Sequence, residues 1–483
     1  MKRSFILFFM GVATCSFLHA QDSHYWTQQY GTRSALLSGA VLGGTNDNTM
    51  IYYNPGALGF LDNSSVSINA SAYGIGNIRV ENALGQQADF ESLQVGSVPL
   101  LAGGMIRMKD QKWKIGYAFI TPVDFSFKGI ARLDNDYEVI EDLESPGLEE
   151  LVAEAGITTK TSEIVLALGL GRKLNENWSV GLSNLFTVRS HSYQRNFSSY
   201  VFMNDEERTF VGGNQSQNAE YYNVRYAAKL GAVYRSGNWS TGLTFTSPSI
   251  NLFGQGTLAN NIAVRNLKLI DDNRISGVAT ARQAELKSTY KSPFSVALGT
   301  NYKKGNSSAG IAIQYYNSID IYDIMEPAPG TFVRPAELAP ELQSDRFLRN
   351  RAGAESVLNI AVGYEHQLSD AFSLLLSARN DMSYFDDELN DGPGIKTTIS
   401  SWDIYHFTGG VNLDHRNSSL SLGLLFSTGN TGKYEQPGNI NPEDINLLEG
   451  STTITRARYS NIGLLLGYTL YLNRLSNNKE AGD

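Results

Sequence analysis

Four basic residues, Arg189, Arg225, Lys229 and Arg379, fall on the small or polar face of segments whose other face is apolar. In "YYNVRYAAKLGAVY", Tyr222, Val224, Tyr226, Ala228, Leu230, Ala232 and Tyr234 share one face; Asn223, Arg225, Ala227, Lys229 and Gly231 share the other. Cations held away from water can pair with a ligand carboxylate, and Arg can do so bidentately. A carboxylate entering an apolar space without such a partner is costly to desolvate. The same cations could instead pair with acids of their own chain, such as Asp47 or Glu163.

No other constellation points to chemistry. The six histidines (His19, His24, His191, His366, His406, His415) show no metal-ligand spacing, and there is no His-Glu-x-x-His. Neither a Gly-x-Ser-x-Gly elbow nor a phosphate-binding glycine loop is present. Gly169-Leu170-Gly171 lies within an alternating segment and reads as packing. The expectation is a protein that is not an enzyme and uses neither metal nor cofactor. A hydrolase would need a Ser–His pair assembled from distant strands. The stretch 134–156 holds nine carboxylates and no Lys or Arg. It reads as an acidic loop, open to divalent cations, with a short amphipathic helix through Leu148, Leu151, Val152 and Ala155.

One further stretch is chemically unusual. "TNDNTMIYYNPGALGFL", residues 45–61, passes through Ile51, Tyr52 and Tyr53 and breaks at Asn54-Pro55-Gly56. Neither helix nor strand continues straight through that tripeptide. Asn54 can bond backbone groups at the bend, and Pro55 removes a donor and fixes φ.

The elements that would position these residues follow from the rest of the chain. Lys2 and Arg3, the apolar run 4–18 and Leu18-His19-Ala20 read as an export signal over residues 1–20. The only cysteine, Cys15, lies inside it, so the mature chain has neither disulfides nor cysteine metal sites. A net charge of −9 argues against nucleic acid as a partner. No run of ~20 apolar residues offers a spanning helix.

Alternation recurs in "SEIVLALGLG", "PFSVALGTNY", "SVLNIAVGYE", "SLSLGLLF" and "NIGLLLGYTLYL". One apolar and one small or polar face over about ten residues is what a membrane barrel strand requires. Short polar turns at 109–112, 175–177, 236–238, 303–307, 369–370 and 414–417 alternate with long polar stretches. The count is fourteen strands from 64 to 472: near 64–74, 98–109, 112–127, 158–172, 178–203, 219–235, 239–254, 292–303, 307–324, 355–367, 371–386, 399–414, 418–428 and 456–472. Trp113, Trp178 and Trp239 each follow a short turn and each precede a glycine by three residues (Gly116, Gly181, Gly242), with Phe372 in the equivalent place. Indole rings prefer the headgroup boundary, so these residues read as an aromatic girdle at the turn end.

On these features the chain resembles the FadL/TodX family of outer-membrane transport proteins. Asn46-Asp47…Tyr53-Asn54-Pro55-Gly56-Ala57-Leu58 is similar to the family's N-terminal hatch motif, with Gly and Ala exchanged; the strand count, Pro122 in "YAFITPVDFSFKG" and "KSPFSVALG" also fit. The resemblance implies an all-β fold: a fourteen-stranded antiparallel transmembrane barrel in the cell outer membrane with a luminal hatch over 21–63, the barrel over 64–472 and a periplasmic tail over 473–483. It implies passive uptake of hydrophobic molecules, long-chain fatty acids above all, by luminal binding, hatch rearrangement and lateral exit. The site residues it suggests are the hatch (Asn46, Asp47, Tyr53, Asn54, Pro55, Gly56) and a lateral window at Gly116 and Pro122; to these the alternation adds Arg189, Arg225, Lys229 and Arg379 as candidates for a ligand carboxylate. The expected partners are a hydrophobic small molecule and outer-membrane lipid, with the protein a monomer. The competing expectation is a structural or adhesion barrel acting through long extracellular loops.

Overall fold

A computed structural model describes residues 23–44, 48–61, 64–85, 87–108, 112–140, 142–268, 274–330, 332–334, 343–439 and 451–472. The expected signal peptide, Asn46, Asp47 and the expected tail lie outside the described residues.

Alternating sequence becomes one closed antiparallel barrel of fourteen strands. They are β1 (Ser65–Gly85), β2 (Ala88–Arg107), β3 (Trp113–Tyr137), β4 (Glu149–Lys173), β5 (Trp178–Phe202) and β6 (Phe210–Ser236). Next come β7 (Trp239–Thr246, resuming as Ile250–Lys268) and β8 (Arg274–Lys287, resuming as Ser295–Lys304). The ring is completed by β9 (Ser307–Tyr316), β10 (Val357–Ser369), β11 (Phe372–Asp381), β12 (Ile404–His415), β13 (Ser418–Asn439) and β14 (Ser451–Tyr471), with Ser65 opposite Tyr471 at the closure. Both interruptions carry a proline, Pro248 and Pro293, which cannot donate to a ladder.

β1 to β4, β6 to β8, β13 and β14 run beyond the expected boundaries, β5 and β10 match them within two residues, and β9, β11 and β12 fall short of them; for the long strands the reason is an inversion of the pattern. On β4, Ile164, Leu168 and Leu170 are exposed on the outside while Val165 and Ala167 face in. Farther up the same strand, Glu154 and Thr158 point out and Leu151, Ala153, Ala155 and Ile157 are buried inside. The lower band is the lipid-facing surface of a membrane-spanning barrel. The upper wall stands in water around an apolar interior. A search for apolar residues on the outer face stops where the phase flips. This corrects the acidic stretch: residues 149–156 form the start of β4, not a helix, and pair with β3. Its Glu144 is tied to Lys268 at 2.8 Å and to Arg274, and its Glu149 accepts from the Val139 amide at 2.8 Å.

Two cores fill the lumen. The outer one joins the inward upper wall to chain that folds back between strands. A strand pair (Ile319–Met325 with Asn350–Ala354) and helix Ser344–Phe347 lie between β9 and β10, and residues 382–403 lie between β11 and β12. Trp402, Ile399, Met325 and Phe347 pack there against Phe90, Phe125 and Phe127. The lower core is the N-terminal segment: α1 (Thr32–Leu36), α2 (Met50–Tyr53) and the 3-10 turn Pro55–Phe60, against Val98, Ala118, Val165 and Val233.

Candidate functional site: a tyrosine-lined cavity beside a gap in the wall

The N-terminal segment circles inside the wall on a ring of glycines. Gly467 on β14 lies against Thr32, Gly423 on β13 against Leu36, and Gly363 on β10 against Leu37. Gly310 on β9 meets the Ala40 carbonyl and Gly242 on β7 the Leu42 carbonyl. Gly231 meets Asn54, Gly181 meets Pro55, and Gly171 meets Leu58. Many of these glycines are cross-strand partners, as in Gly171↔Gly181↔Gly231 and Gly310↔Gly363. A side chain at most of these positions would overlap the segment, and at Gly363 it would press on Leu37; for Trp178–Gly181 and Trp239–Gly242 the Trp-x-x-Gly spacing therefore has a second meaning, tryptophan outside at the turn end and glycine inside as the seat.

The bend is held as its residue types suggest. Asn54 is fully buried; its Oδ1 accepts from Gly56 N at 3.0 Å and its Nδ2 donates to the carbonyls of Leu42 (2.8 Å) and Ala232 (3.2 Å). Pro55 opens the 3-10 turn, where a missing N–H costs nothing. Tyr53 Oη accepts from Tyr30 N at 2.8 Å and donates to Gln29 Oε1 at 2.8 Å.

All four candidate cations face inward, and all four are engaged. Arg379 donates to the carbonyls of Trp26 (3.1 Å) and Thr27 (3.0 Å) and to Ser38 Oγ (3.2 Å), so it anchors the N-terminal segment. Lys229 Nζ donates to the Tyr52 carbonyl at 2.7 Å and lies 4.6 Å from the Tyr52 ring. Arg189 and Arg225 both reach Glu163 Oε1 at 2.8 Å, the internal pairing weighed from the sequence. Arg189 also donates to Tyr221 Oη at 3.2 Å, and Arg225 to Ser292 Oγ at 2.8 Å.

Between the two cores lies a cavity of about 180 Å³. Tyr53, Pro122, Arg189, Arg225 and Lys229 line it, whereas Arg379, Asn54, Pro55, Gly56 and Gly116 do not. Sequence reasoning missed most of its walls. Tyr25, Tyr30, Tyr290, Tyr316, Tyr322 and Tyr384 come from the N-terminal segment, the β8 interruption, β9 and the inner loops. Tyr25 stacks on Tyr316 (ring centroids 4.1 Å apart) and on Tyr384 (4.4 Å). Scattered loop tyrosines have no periodicity that could have flagged them.

The cavity reaches the wall at Pro122 and Val123, and there the barrel is unzipped. The β2–β3 ladder runs from Arg107↔Lys114 only to Leu101↔Ile120. Pro99 on β2 and Pro122 on β3 flank its end, and the β3–β4 register slips between Ile120 and Val123. Farther out the strands meet only through side chains: Ser92 Oγ accepts from Lys128 N at 3.1 Å, and Gln94 donates to the Ser126 carbonyl. Outward-facing Leu93 and Val95 border the gap on the β2 side. Gly116 sits in the closed part of the ladder against Ile51, away from the gap, because its register pairs it with Met105.

Ser427, His406 and Asp381 form the one Ser–His–acid sequence of contacts resembling a hydrolase among the described residues. His406 Nδ1 lies 2.7 Å from Ser427 Oγ, but its Nε2 is 3.9 Å from Asp381. All three are at most 1% exposed and none lines the cavity. Asp381 instead accepts from Trp26 N (3.0 Å) and Thr27 Oγ1 (3.2 Å) and so holds the N-terminal segment.

No family model and no curated protein matches the sequence. Solved structures do. A FadL homologue of Pseudomonas aeruginosa superposes with a TM-score of 0.56 at 12% identity, covering 95% of this chain and 100% of that one. The Pseudomonas putida toluene transporter TodX gives 0.52 at 12%, covering 92% and 99%. CymD, a monoaromatic hydrocarbon channel, gives 0.50 at 10%, covering 94% and 99%. At such identities the likeness is one of fold, and the chain has the fold of the FadL/TodX transport proteins.

Proposed function

We propose that the protein is an outer-membrane channel for passive uptake of hydrophobic molecules, long-chain fatty acids among them. The observation that carries this reading is the cavity's position. It is closed below by the N-terminal segment, closed above by the inner loops, and bounded on one side by the unpaired β2–β3 wall at Pro122. An unpaired strand edge facing hydrocarbon is costly unless it serves a passage or is covered. In this reading the ligand enters past the inner loops, rests in the cavity and leaves through the gap into the bilayer. The N-terminal segment acts as a hatch that keeps the wide lumen from leaking. No energy source is required, since partition into the membrane drives the flow. Toluene and monoaromatic hydrocarbon transport, named for two of the structural neighbours, is compatible with such a route.

The test is uptake of a labelled long-chain fatty acid into vesicles whose outer leaflet carries lipopolysaccharide, without any gradient or nucleotide. The expected result is saturable uptake faster than in protein-free vesicles. An adhesion or structural barrel would give the protein-free rate.

A further inference from the structure

The cavity holds more positive charge than its described walls neutralise. Its one described carboxylate, Glu163, is shared by Arg189 and Arg225, while Lys229 has no carboxylate within ion-pair distance among the described residues. Arg225 is only 5% exposed, and its Nη1 has no hydrogen-bond partner among the described residues. A buried guanidinium donor left unmatched is costly, and an acceptor of negative charge would remove that cost. The surrounding surface is aromatic: the Tyr290 ring lies 3.9 Å from the Arg189 guanidinium and 5.1 Å from that of Arg225, with the Tyr25–Tyr316–Tyr384 stack also lining the space. The volume of about 180 Å³ sets the size. An apolar cavity of roughly 150 Å³ accepts benzene, so this one suits a single ring with a small substituent. A long alkyl chain could occupy it only with its polar end.

We propose that the cavity is a binding site for a compact aromatic carboxylate, with the ring among the tyrosines and the carboxylate on Arg225 Nη1. Lys229, on the same face of β6, adds positive potential without being the seat. This assignment rests on the cavity being a station on the uptake route.

Calorimetric titration of the full mature protein in detergent with benzoate, methyl benzoate and toluene tests it. Benzoate should bind more tightly than its uncharged methyl ester. Arg225→Gln should weaken benzoate by roughly ten- to a hundredfold, as expected for a lost charge-assisted hydrogen bond, and change methyl benzoate by less than about twofold. Lys229→Gln should weaken benzoate less than Arg225→Gln does. Arg225→Lys, which keeps the charge and loses the fork, should fall between wild type and Arg225→Gln, and it serves if the Gln variant fails to show the heat-modifiable gel migration of a folded barrel. Equal affinity for acid and ester, or equal losses for both in Arg225→Gln, overturns the carboxylate site. The channel reading would then still stand on fatty-acid uptake. Intact benzoate binding without vesicle uptake would instead overturn the channel reading, and with it the station on which this assignment depends.

Discussion

Glycine at position 181 is required by a carbonyl. Pro55 of the N-terminal segment lies where a side chain would project from β5, and Leu42 does the same opposite Gly242 on β7. Gly181→Val should therefore leave the barrel ladder intact, because strand residues of either kind can pair, but push the bend off its seat. Overpacking of this kind typically costs about 1–3 kcal/mol. The expected outcome is a lower unfolding midpoint and raised ion conductance in planar bilayers. Gly432→Val, at a glycine with open space around it, should change neither. Wild-type conductance in Gly181→Val would mean that the segment does not seal the lumen. At this scale the sequence was informative in part. The alternation correctly turned Arg189, Arg225, Lys229 and Arg379 inward, and the residue types at Asn54-Pro55-Gly56 foretold a hydrogen-bonded bend. What each cation touches was not legible. Arg379 finds backbone carbonyls some 350 positions away, a pairing fixed only by closure of the barrel.

Among the elements, the strands were readable wherever lipid imposes one pattern and less so where water reverses it. The turn end was read best, since the expected turns at 175–177, 236–238, 303–307, 369–370 and 414–417 each join two neighbouring strands, while most of the one at 109–112 lies outside the described residues. Above the lipid band the same alternation continues with its sides exchanged, which is why β1 to β4 and β6 to β8 extend into stretches that looked like loops. The girdle follows from the turns. Trp178 and Trp239 are exposed and pair in register with Tyr234 and Tyr302, with ring centroids 4.8 and 4.6 Å away. Trp113 lies beside Arg172, its ring centroid 4.8 Å from the guanidinium carbon. Trp26 and Trp402 are buried in the lumen. In variants retaining one tryptophan each, lipids brominated at graded depths should quench Trp113, Trp178 and Trp239 at one common shallow depth and leave Trp402 unquenched at all depths. Different depths for the three would mean that the register of the up-strands is wrong.

At the scale of the whole molecule, two plugs meet inside one barrel and leave a small aromatic chamber beside a stretch of wall where β2 and β3 stop pairing. The sequence pointed to half of this. Pro122 marked the β3 side of the gap, but Pro99 on β2 was not recognised as its counterpart, because the two become neighbours only through the β2–β3 hairpin register. The outer plug was hidden for a different reason: its residues lie in short elements and loop chain far apart in sequence, and only tertiary packing makes Trp402, Phe347 and Met325 one core. The central claim is that the ligand leaves through the gap. With Cys15, the one cysteine of the sequence, replaced by Ser, Gln94→Cys with Ser126→Cys gives a single pair across the gap, where the two native residues already touch. Uptake of a labelled fatty acid into vesicles should stop when that pair is oxidised, with the cross-link verified by mass, and should return on reduction. Equal uptake in the oxidised and reduced states would contradict the lateral route.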